Sequence, residues 1–517
     1  MSSILDFAER DPDRAALIYG NGGVGESYGE LERRSRRIAH LLRSLGLEEG
    51  DGVAVMLGND EEFFDVLWAA LRIGLYFTPV NWHLAPAEVR YVVDNCDARV
   101  FFASAAFERV AAEAAAGAPK LAHRLALHGP IEGFRPLEEA LAAVPEDPPL
   151  VNQREGAPML YSSGTTGQPK GIRHPLPNRP FGDPSAALQA RAFSAFFGFE
   201  EGDRYLCPAP LYHAAPLGFS AVQHRIGATA VVMRRFDAEQ ALRIIQDQRV
   251  TTSQWVPTHF KRLLQLPREV REGYDLSTLR VAVHAAAPCP IPVKRAMIEW
   301  WGPILVEYYA GTEGGGTLIR SEEWLAHPGS VGRHWAGGKV WIIDEEGNEI
   351  AEPGRDGAIY FEASPNEAER FRYYKDEEKT RSTYRGRLFT LGDIGHLDAE
   401  GHLYLTDRQS NMIISGGVNI YPQETENALL AHPRVSDVAV IGVPHEEMGE
   451  EVKAVVIPAD GVEPGPALEA ELIDFCRRQI AHYKCPRSID FAPELPRTET
   501  GKLLKREIRR HRHGNRG

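Results

Sequence analysis

Short apolar segments alternate with amphipathic ones along much of the chain, and this alternation limits the fold more than any other feature. The segments "GVAVML" (52–57), "ARVFFAS" (98–104) and "GATAVVM" (227–233) are typical of buried strands, whereas "YGELERRSRRIAHLLRSLGL" (28–47) has apolar residues at helical spacing. Strands that alternate with helices favour mainly parallel sheets, because parallel neighbours need a crossover connection. We therefore predict an α/β fold whose large N-terminal domain has parallel or mixed sheets flanked by helices.

The pattern changes near residue 408. The segment "DRQSNMIISGGVNIYP" is typical of a hairpin that turns at Gly416 and Gly417, and the segments after it suit a small α+β unit. A chain of 517 residues is also too long for one hydrophobic core. We predict two domains, residues 1–408 and 409–517. The basic end "KREIRRHRHGNRG" is expected to be solvated and partly disordered.

Charge and apolar patterning limit the partners and the location. The formal net charge of −14 argues against nucleic acid or an anionic membrane as the main partner. The most apolar stretch (63–80) contains Asp65 and Arg72, which favours a buried helix plus a strand over a membrane span. The first residues lack the basic and apolar blocks of a signal peptide. We expect a cytoplasmic protein that is not an integral membrane protein.

The five cysteines support this location. Their number is odd and they form no CxxC pair, so we expect reduced thiols. They are Cys96, Cys207, Cys289, Cys476 and Cys485.

The segment "YSSGTTGQPKG" (161–171) is typical of a loop around phosphate, because hydroxyls donate hydrogen bonds and glycines let backbone N–H groups approach. It is not a Walker loop, since Lys170 is followed by Gly171 rather than by Ser or Thr. The alternative is a polar surface turn without a ligand. The remaining candidates for phosphate contact are Ser162, Ser163, Gly164, Thr165, Thr166 and Gly167.

Other catalytic patterns do not occur. The sequence has no HExxH and no clustered Cys/His pattern, which argues against a structural or catalytic zinc. It has no GxSxG elbow, which argues against a serine hydrolase.

The phosphate-loop segment resembles the signature of the adenylate-forming superfamily, which comprises acyl-CoA synthetases, amino-acid adenylation domains and luciferases. Five further segments follow in the family's order and approximate spacing, so the resemblance covers essentially the whole chain. They are "PAPLYHAAP" (208–216), "EYYAGTEG" (307–314), "TLGDIGHLD" (390–398), "DRQSNMIISGGVNIYP" (407–422) and "PRTETGK" (496–502). In detail the chain is most similar to the fatty-acyl-CoA synthetase branch.

The resemblance implies a two-step reaction. A carboxylate attacks the α-phosphate of ATP to give an acyl-adenylate and pyrophosphate, and the thiol of coenzyme A then displaces AMP. It implies ATP/AMP, Mg²⁺ and coenzyme A as cofactors. The apolar segments "LYHAAPLGFSAV" and "HAAAPCP" predict an apolar acyl pocket, hence a hydrophobic carboxylic acid as substrate.

The resemblance also implies catalytic roles. Lys170, with Thr165 and Thr166, holds the β- and γ-phosphates. Thr312 contacts the α-phosphate, Glu313 holds Mg²⁺, and His213 lies near the acyl carboxylate. Lys502 is delivered by the small C-terminal domain for adenylation, after which this mobile domain rotates about a hinge near Ser410.

The nucleotide and coenzyme A contacts follow in the same way. Asp393 accepts both ribose hydroxyls, Arg408 reinforces the ribose, and Tyr309 stacks on adenine. Gly416 and Gly417 line the pantetheine channel. The adenine pocket is completed by Ala286 and Ala287 of "AAAP" and by Glu307, Tyr308 and Ala310.

Four positions depart from the commonest family pattern: Glu307, Ala310, Gln409 and Asn411. None is a catalytic group in this interpretation, so a full two-step ligase is the leading hypothesis. One alternative is a ligase that performs only thioester formation on an adenylate made by a partner enzyme. Another is a catalytically silent protein that binds nucleotide or acyl-CoA.

Other branches of the superfamily fit less well. An amino-acid adenylation domain needs an acidic partner for the substrate ammonium, and no Asp or Glu lies between Arg204 and Phe236. Nothing singles out luciferase chemistry. The identity of the acid, the thiol acceptor (coenzyme A or a carrier protein) and the oligomeric state, a homo-oligomer included, stay open.

Overall fold

The computed structural model describes residues 3–20, 23–60, 62–145, 149–162, 169–408, 411–415, 418–445, 448–497 and 503–513. Strands and helices alternate through most of this range, as the sequence predicts. The helices are α1 Ile4–Arg10, α2 Tyr28–Ser44, α3 Glu62–Leu71, α4 Pro86–Asn95, α5 Glu108–Ala116, α6 Leu137–Ala142, α7 Pro184–Phe197, α8 Ala214–Ile226, α9 Ala238–Asp247, α10 Pro257–Gln265, α11 Arg268–Arg271, α12 Ile291–Trp301, α13 Ser321–Ala326, α14 Glu377–Thr383, α15 Pro422–Leu430, α16 Pro466–Gln479 and α17 Lys505–His513.

The strands are mostly short, and many are buried along their whole length. They are β1 Ala15–Tyr19, β2 Gly23–Ser27, β3 Gly52–Met56, β4 Tyr76–Pro79, β5 Ala98–Ser104, β6 His123–Leu127, β7 Arg135–Pro136, β8 Ala157–Ser162, β9 Lys170–Arg173, β10 Arg204–Cys207, β11 Thr229–Val232, β12 Thr252–Trp255, β13 Val281–His284, β14 Leu305–Gly311, β15 Gly314–Arg320, β16 Ser330–His334, β17 Val340–Ile343, β18 Gly357–Glu362, β19 Arg372–Tyr373, β20 Tyr384–Arg385, β21 Leu388–Leu397, β22 Leu403–Arg408, β23 Ile413–Ser415, β24 Val418–Ile420, β25 Val435–His445, β26 Gly449–Pro458 and β27 Ser488–Phe491.

Local sequence explains where the long helices begin. Ser27 caps α2 by accepting from the backbone N–H of Glu30, whose carboxylate accepts from the Ser27 N–H in return. This reciprocal box satisfies two donors that the first helical turn would otherwise leave open. Asp237 caps α9 in a similar way, through the N–H of Gln240.

The two large sheets are both mixed. The larger has the strand order β17-β18-β21-β22-β16-β15-β14-β13-β12-β10-β11-β1-β2, with β20 paired to β21. Its strands from β14 through β13, β12, β10 and β11 to β1 are parallel, and the others pair antiparallel. The second sheet has the order β19-β9-β8-β4-β3-β5-β6-β7 and is antiparallel only where β9 meets β8 and β19. The predicted α/β class is confirmed.

One hydrophobic core joins these sheets. It contains Val55 and Phe102 of the second sheet, Val232 and Val283 of the first, and the apolar side chains of α3. Burial on every face explains why α3 is apolar apart from Glu62 and Asp65, and the buried Asp65 pairs with Arg34. The stretch that the sequence assigned to a helix plus a strand is α3 followed by β4. None of the helices in the described residues has the length and apolarity needed to cross a membrane.

A third sheet, of order β24-β23-β26-β25 with β27 paired to β26, packs with α15 and α16 around its own core. Within the described part of this region, the predicted hairpin strands are β23 and β24, which pair antiparallel on either side of residues 416–417.

The described part of the basic end is helical, which its sequence does not predict. Residues 505–513 form α17, because Ile508 is buried with residues of β25 and β26 and Lys505 pairs with buried Glu426 at 2.8 Å; residues 514–517 lie outside the described residues. A buried apolar residue and a buried ion pair supply a tertiary contact that the local charge pattern does not reveal.

Candidate active site

The predicted phosphate loop connects two paired strands. Tyr161 lies opposite Gly171 and Ser162 lies opposite Lys170, so β8 and β9 form an antiparallel hairpin around the segment. The predicted contacts at Ser163, Gly164, Thr165, Thr166 and Gly167, and the side chain of Ser162, lie outside the described residues. Lys170 is the first residue of β9 and is half-buried.

Lys170 and Glu313 both lie beside Tyr373. The Tyr373 hydroxyl donates a hydrogen bond to Glu313 Oε1 at 2.7 Å, and Lys170 Nζ lies 5.9 Å from the centroid of the Tyr373 ring. Burial lowers the pKa of Lys170, and the charge of Lys379 lowers it further, while Asp376 and Glu313 act in the opposite direction. The structure therefore groups a lysine and a carboxylate that are far apart in the sequence.

Tyr373 itself was not among the predicted site residues. Burial raises its pKa, and the Glu313 carboxylate raises it further, so the phenol stays a donor. Its surrounding sequence, "FRYYKD", contains no motif that distinguishes it from a core tyrosine.

Thr312 and Glu313 form the turn between β14 and β15. Gly311 pairs with Gly314 across this turn, and His174 Nε2 lies 3.2 Å from the Thr312 carbonyl oxygen. Gly315 has φ of 70°, and a Cβ there would lie 2.6 Å from the Phe361 ring. Only glycine meets both conditions, so the run of glycines after Glu313 fixes where the turn lies.

Tyr309 and Asp393 are in direct contact. The Tyr309 hydroxyl donates to Asp393 Oδ2 at 2.6 Å, and Asp393 is only 6% exposed. Asp393 on β21 is also the cross-strand partner of Arg408 on β22. The side chain of Arg408 is outside the described part of the chain. Two predicted nucleotide residues thus meet although 84 positions separate them.

The predicted adenine segment follows β13 at its carboxyl end. Ala286 is exposed and has φ of 77°, a left-handed conformation that is costly for a residue with a Cβ, and Ala287 is half-buried. Such conformations concentrate at ligand sites, where the surrounding structure enforces them. The parallel pairing of β13 with β14 sets His284 opposite Glu307, one residue before Tyr308.

Glu307 takes part in an internal ion pair. Its Oε2 lies 2.5 Å from Nζ of Lys294, and both side chains are buried. Burial raises the pKa of Glu307, while Lys294 lowers it. The carboxylate is engaged inside the protein, and its contact with adenine stays a prediction. Ala310, two residues before Thr312, is half-buried.

His213 precedes α8 at the helix N-cap, and its ring lies 4.3 Å from that of Tyr212. Downstream on α8, Phe219 packs against Tyr308 with ring centroids 5.6 Å apart. The Tyr308 hydroxyl is 3.5 Å from Gln254 Nε2, and burial raises its pKa. We call the surrounding rings the aromatic cluster: Phe193, Phe197, Phe199, Phe219, Tyr308 and Trp335.

The remaining predictions lie on residues whose placement the structure does not describe. Lys502, the hinge residue Ser410, and Gly416 with Gly417 fall in the gaps 498–502, 409–410 and 416–417. Their roles stay predictions.

Comparison with known proteins identifies the family. The AMP-binding enzyme family matches residues 5–366, and the AMP-binding enzyme C-terminal domain matches residues 424–502. A long-chain-fatty-acid–CoA ligase of Mycobacterium tuberculosis is 33% identical over 513 residues, which cover 96% of this chain and 95% of the relative. A fatty acid–[acyl-carrier-protein] ligase of Streptomyces coeruleorubidus is 31% identical and covers 97% of this chain and 94% of its own.

Solved structures agree. The anthranilate CoA ligase AuaEII in complex with anthranoyl-AMP aligns with a TM-score of 0.83 and 26% identity, over 98% of this chain and 97% of that one. Together with the full-length match to the curated ligases, this likeness assigns both the fold and the chemistry. The chain therefore belongs to the AMP-binding enzyme family and is, like these relatives, an ATP-dependent acid–thiol ligase.

Proposed function

We propose that this chain activates a hydrophobic carboxylic acid as its acyl-adenylate and transfers the acyl group to the thiol of coenzyme A. The observation that carries the proposal is the hydrogen bond between Tyr309 and Asp393. It supports one nucleotide site, in which the ring of Tyr309 stacks on adenine while its hydroxyl orients the carboxylate that accepts the ribose hydroxyls. An ionised carboxylate only accepts hydrogen bonds, which suits two hydroxyl donors.

Glu313 suits Mg²⁺, and its surroundings support that role. Carboxylate oxygen is a hard ligand of the kind that Mg²⁺ prefers. Ligating carboxylates are usually oriented by a hydrogen bond from a neighbouring group, and Tyr373 supplies one to Oε1. Mg²⁺ bound there would neutralise charge on the phosphates. Lys170 and Thr312 then hold the phosphates while the acid attacks, because preorganised donors and positive charge lower the barrier where anionic charge accumulates.

The aromatic cluster supports a hydrophobic acid. It includes Phe219 of α8, the helix that begins directly after His213, and Tyr308, the residue beside the proposed adenine-stacking Tyr309. An acid whose carboxylate lies near His213 would find the Phe219 ring on the following helix, with the rings of Phe193 and Phe197 from α7 packed against it. Burial of apolar substrate surface against such rings supplies binding energy.

The two-step reaction requires two arrangements of the C-terminal part. In this proposal residues 409–517 form a mobile domain that rotates about Ser410. One arrangement delivers Lys502 to the phosphates, and the other brings Gly416 and Gly417 to the pantetheine arm. Five cysteine thiols without a disulfide, together with the need for ATP and coenzyme A, support a cytoplasmic location.

One observation favours a second acceptor of the acyl group, the pantetheine thiol of a carrier protein. The similar protein of Streptomyces coeruleorubidus is a ligase that uses an acyl-carrier protein, so a carrier-bound pantetheine thiol is the alternative to coenzyme A.

The test follows the two half-reactions separately on a panel of straight-chain and aromatic acids. AMP–pyrophosphate exchange measures adenylate formation, and mass spectrometry measures transfer to coenzyme A or to a holo carrier protein. We expect acid-dependent exchange and a coenzyme A thioester with at least one apolar acid. Transfer from synthetic acyl-adenylates without any exchange would instead assign the chain to thioester formation alone. Binding of nucleotide without exchange or transfer would make it a silent module.

A further inference from the structure

Four side chains that play no part in the proposed reaction converge at the far end of the β21–β22 hairpin. Asp398, Glu400 and His402 belong to the turn between these strands, and His327 lies between α13 and β16. One potential ligand atom from each of the four lies within 4.8 Å of the other three. Gly401 N–H donates to the Asp398 carbonyl at 3.1 Å, so the turn is held by its own backbone.

The nitrogen–oxygen distances suit a common ion. Nδ1 of His327 and Nδ1 of His402 each lie 3.2 Å from Oδ2 of Asp398. Two ligands bound tetrahedrally to one Zn²⁺, with bonds of about 2.0–2.1 Å, are about 3.3 Å apart. These two pairs therefore already have the separation that a shared zinc ion requires.

His402 gives the second, independent indication. It is 3% exposed, and its Nε2 lies 2.9 Å from Glu323 Oε1, which places the ring proton on Nε2. Its Nδ1 is buried, faces Asp398 and makes no hydrogen bond within the described residues. Two lone-pair atoms facing each other at 3.2 Å repel unless a cation lies between them, and a buried nitrogen without a partner is costly.

The contact with Glu323 is also the one that metal-bound histidines usually make. Such histidines donate their other ring N–H to a carboxylate, which fixes the tautomer and raises the basicity of the ligating nitrogen. Arg333 pairs with the same Glu323 oxygen at 2.6 Å.

The ring geometry and the ligand types favour Zn²⁺. The rings of His327 and His402 stack with centroids 3.7 Å apart at 27°, an arrangement that two positively charged rings would oppose. Imidazole nitrogen suits zinc and similar divalent transition metals, whereas Mg²⁺ and Ca²⁺ prefer oxygen ligands alone.

We propose that His327, Asp398, Glu400 and His402 form a structural site for Zn²⁺ that is separate from the nucleotide site. The ion would tie the segment between α13 and β16 to the β21–β22 turn, and β22 is hydrogen-bonded to both β16 and β21. Motif reasoning missed the site, and argued against zinc, because His327 precedes Asp398 by 71 positions (398 − 327). The proposal does not rest on the ligase activity.

The test uses the full chain without an affinity tag, in a parent variant with His511→Asn and His513→Asn, because histidines in the basic end would also take up zinc. Excess Mg²⁺ is present to compete for all-oxygen sites. Zn²⁺ binding is measured by calorimetry, and the unfolding midpoint is measured with and without Zn²⁺. We expect one tight Zn²⁺ per chain and a higher midpoint with Zn²⁺, since a ligand that binds only the folded state stabilises it.

Two variants remove ligands from the outer side of the cluster, where folding is least at risk. His327 is half-buried and Glu400 is exposed. We expect His327→Gln and Glu400→Gln to weaken Zn²⁺ binding by at least about 10-fold and to reduce the Zn²⁺-dependent shift of the midpoint.

The matched control is His128→Asn. His128 also lies beside two carboxylates, Glu62 at 2.9 Å and Asp60 at 4.0 Å, but within the described residues these three side chains do not form a group spaced for a shared metal ion. Asn tolerates its left-handed backbone, with φ of 63°. This variant should bind Zn²⁺ as the parent does.

X-ray absorption at the zinc edge provides a readout independent of stability. We expect a shell of nitrogen and oxygen only, with scattering from two imidazole rings in the parent and from one in His327→Gln. No stoichiometric binding, or equal binding by the parent and His327→Gln, would overturn the proposal. Either result would mean that a proton, rather than a metal ion, lies between His402 and Asp398.

Discussion

The Tyr309 hydroxyl donates to Asp393 Oδ2 at 2.6 Å and thereby joins β14 to β21 through their side chains. These strands are not neighbours in the sheet, because β15, β16 and β22 lie between them. The contact therefore spans the surface on which the nucleotide is proposed to bind. It holds the carboxylate that is proposed to accept the ribose hydroxyls.

Replacing the Tyr309 hydroxyl should weaken nucleotide binding without removing the ring that is proposed to stack on adenine. A hydrogen bond to a charged group is worth about 1.5–3 kcal/mol. We therefore expect Tyr309→Phe to raise the KM for ATP in pyrophosphate exchange by about 10-fold or more. The control is Tyr384→Phe, which removes a hydroxyl that donates to the Phe371 carbonyl at 3.0 Å. An unchanged KM for ATP in Tyr309→Phe would show that the hydroxyl does not orient Asp393 for the ribose.

Substitutions of Glu313 and of Tyr373 should both lower the Mg²⁺-dependent rate of adenylate formation. Glu313→Gln removes the negative charge proposed to hold Mg²⁺, and loss of one such transition-state contact typically lowers kcat by about 10²–10³-fold. Tyr373→Phe removes only the hydrogen bond to Glu313, so we expect a smaller loss together with a higher Mg²⁺ requirement. Titration of the exchange rate with Mg²⁺ separates the two effects. Glu322→Gln, at an exposed position of α13, is the control, and equal rates in all variants would contradict the metal role.

Substitution of Lys502 should affect the two half-reactions to different extents. We expect Lys502→Ala to lower acyl-adenylate formation by about a thousandfold, as loss of one preorganised charge contact typically does. Thioester formation from a supplied acyl-adenylate should be largely spared, because the lysine is proposed to leave the site before that step. Pyrophosphate exchange measures the first step and release of AMP from the adenylate measures the second. An equal loss in both steps would rule out the alternating arrangement.

Lys294 should be needed for stability, because it neutralises Glu307 in the interior. Removing one partner of a buried ion pair leaves an uncompensated charge and costs about 3–5 kcal/mol. We expect Lys294→Met to lower the free energy of unfolding by that order, measured by urea denaturation. The double variant Lys294→Met/Glu307→Gln removes both charges and should recover part of the loss. No recovery would mean that the packing of the lysine stem, rather than charge, explains the effect.

The pKa of Glu307 determines how the stability of the Lys294→Met variant changes with pH. Burial already raises the pKa of this carboxyl in the folded protein, and loss of Lys294 raises it further. A raised carboxyl pKa destabilises the folded state as pH rises from the unfolded value towards the folded one. The variant should therefore be closest to wild type in acid and should lose most stability above the raised pKa.

His224 should make the protein sensitive to mild acid. Its Nδ1 accepts from Trp68 Nε1 at 3.1 Å, and Nε2 lies 3.0 Å from the Ala16 carbonyl oxygen. Burial lowers its pKa to about 4, whereas the unfolded chain takes up the proton near pH 6.5. The stability that neutral His224 contributes is therefore complete above about pH 6.5 and is lost as pH falls towards 4.

Urea midpoints between pH 7.5 and 4.5 test this assignment. We expect the wild-type midpoint to fall over this range and His224→Gln to be less stable at pH 7.5 with a flatter pH profile. The exposed His482 provides the control, since His482→Gln should keep the wild-type profile. A profile in His224→Gln as steep as that of wild type would assign the acid sensitivity to other groups, such as buried His259, whose pKa burial lowers to about 3.

Side-chain contacts between distant segments escaped prediction. Nothing in "FRYYKD" indicates that Tyr373 reaches Glu313, and nothing around Glu307 indicates that it pairs with Lys294. The sequence predicts a solvated basic end, whereas burial of Ile508 stabilises residues 505–513 as a helix. Each case depends on a partner more than ten positions away, which local patterns do not encode.

The sequence alone determined the α/β class, the positions of the main helices and strands, and the family. Apolar periodicity is local, and the phosphate-loop and "GTEG" segments keep their residue order whatever surrounds them. Only the tertiary structure decided which of these residues meet. Tyr309 lies against Asp393, and His327 lies against Asp398 and His402, because the order of strands in the largest sheet brings these segments together. Strand order is set by burial of apolar side chains summed over the whole chain, which no single segment contains.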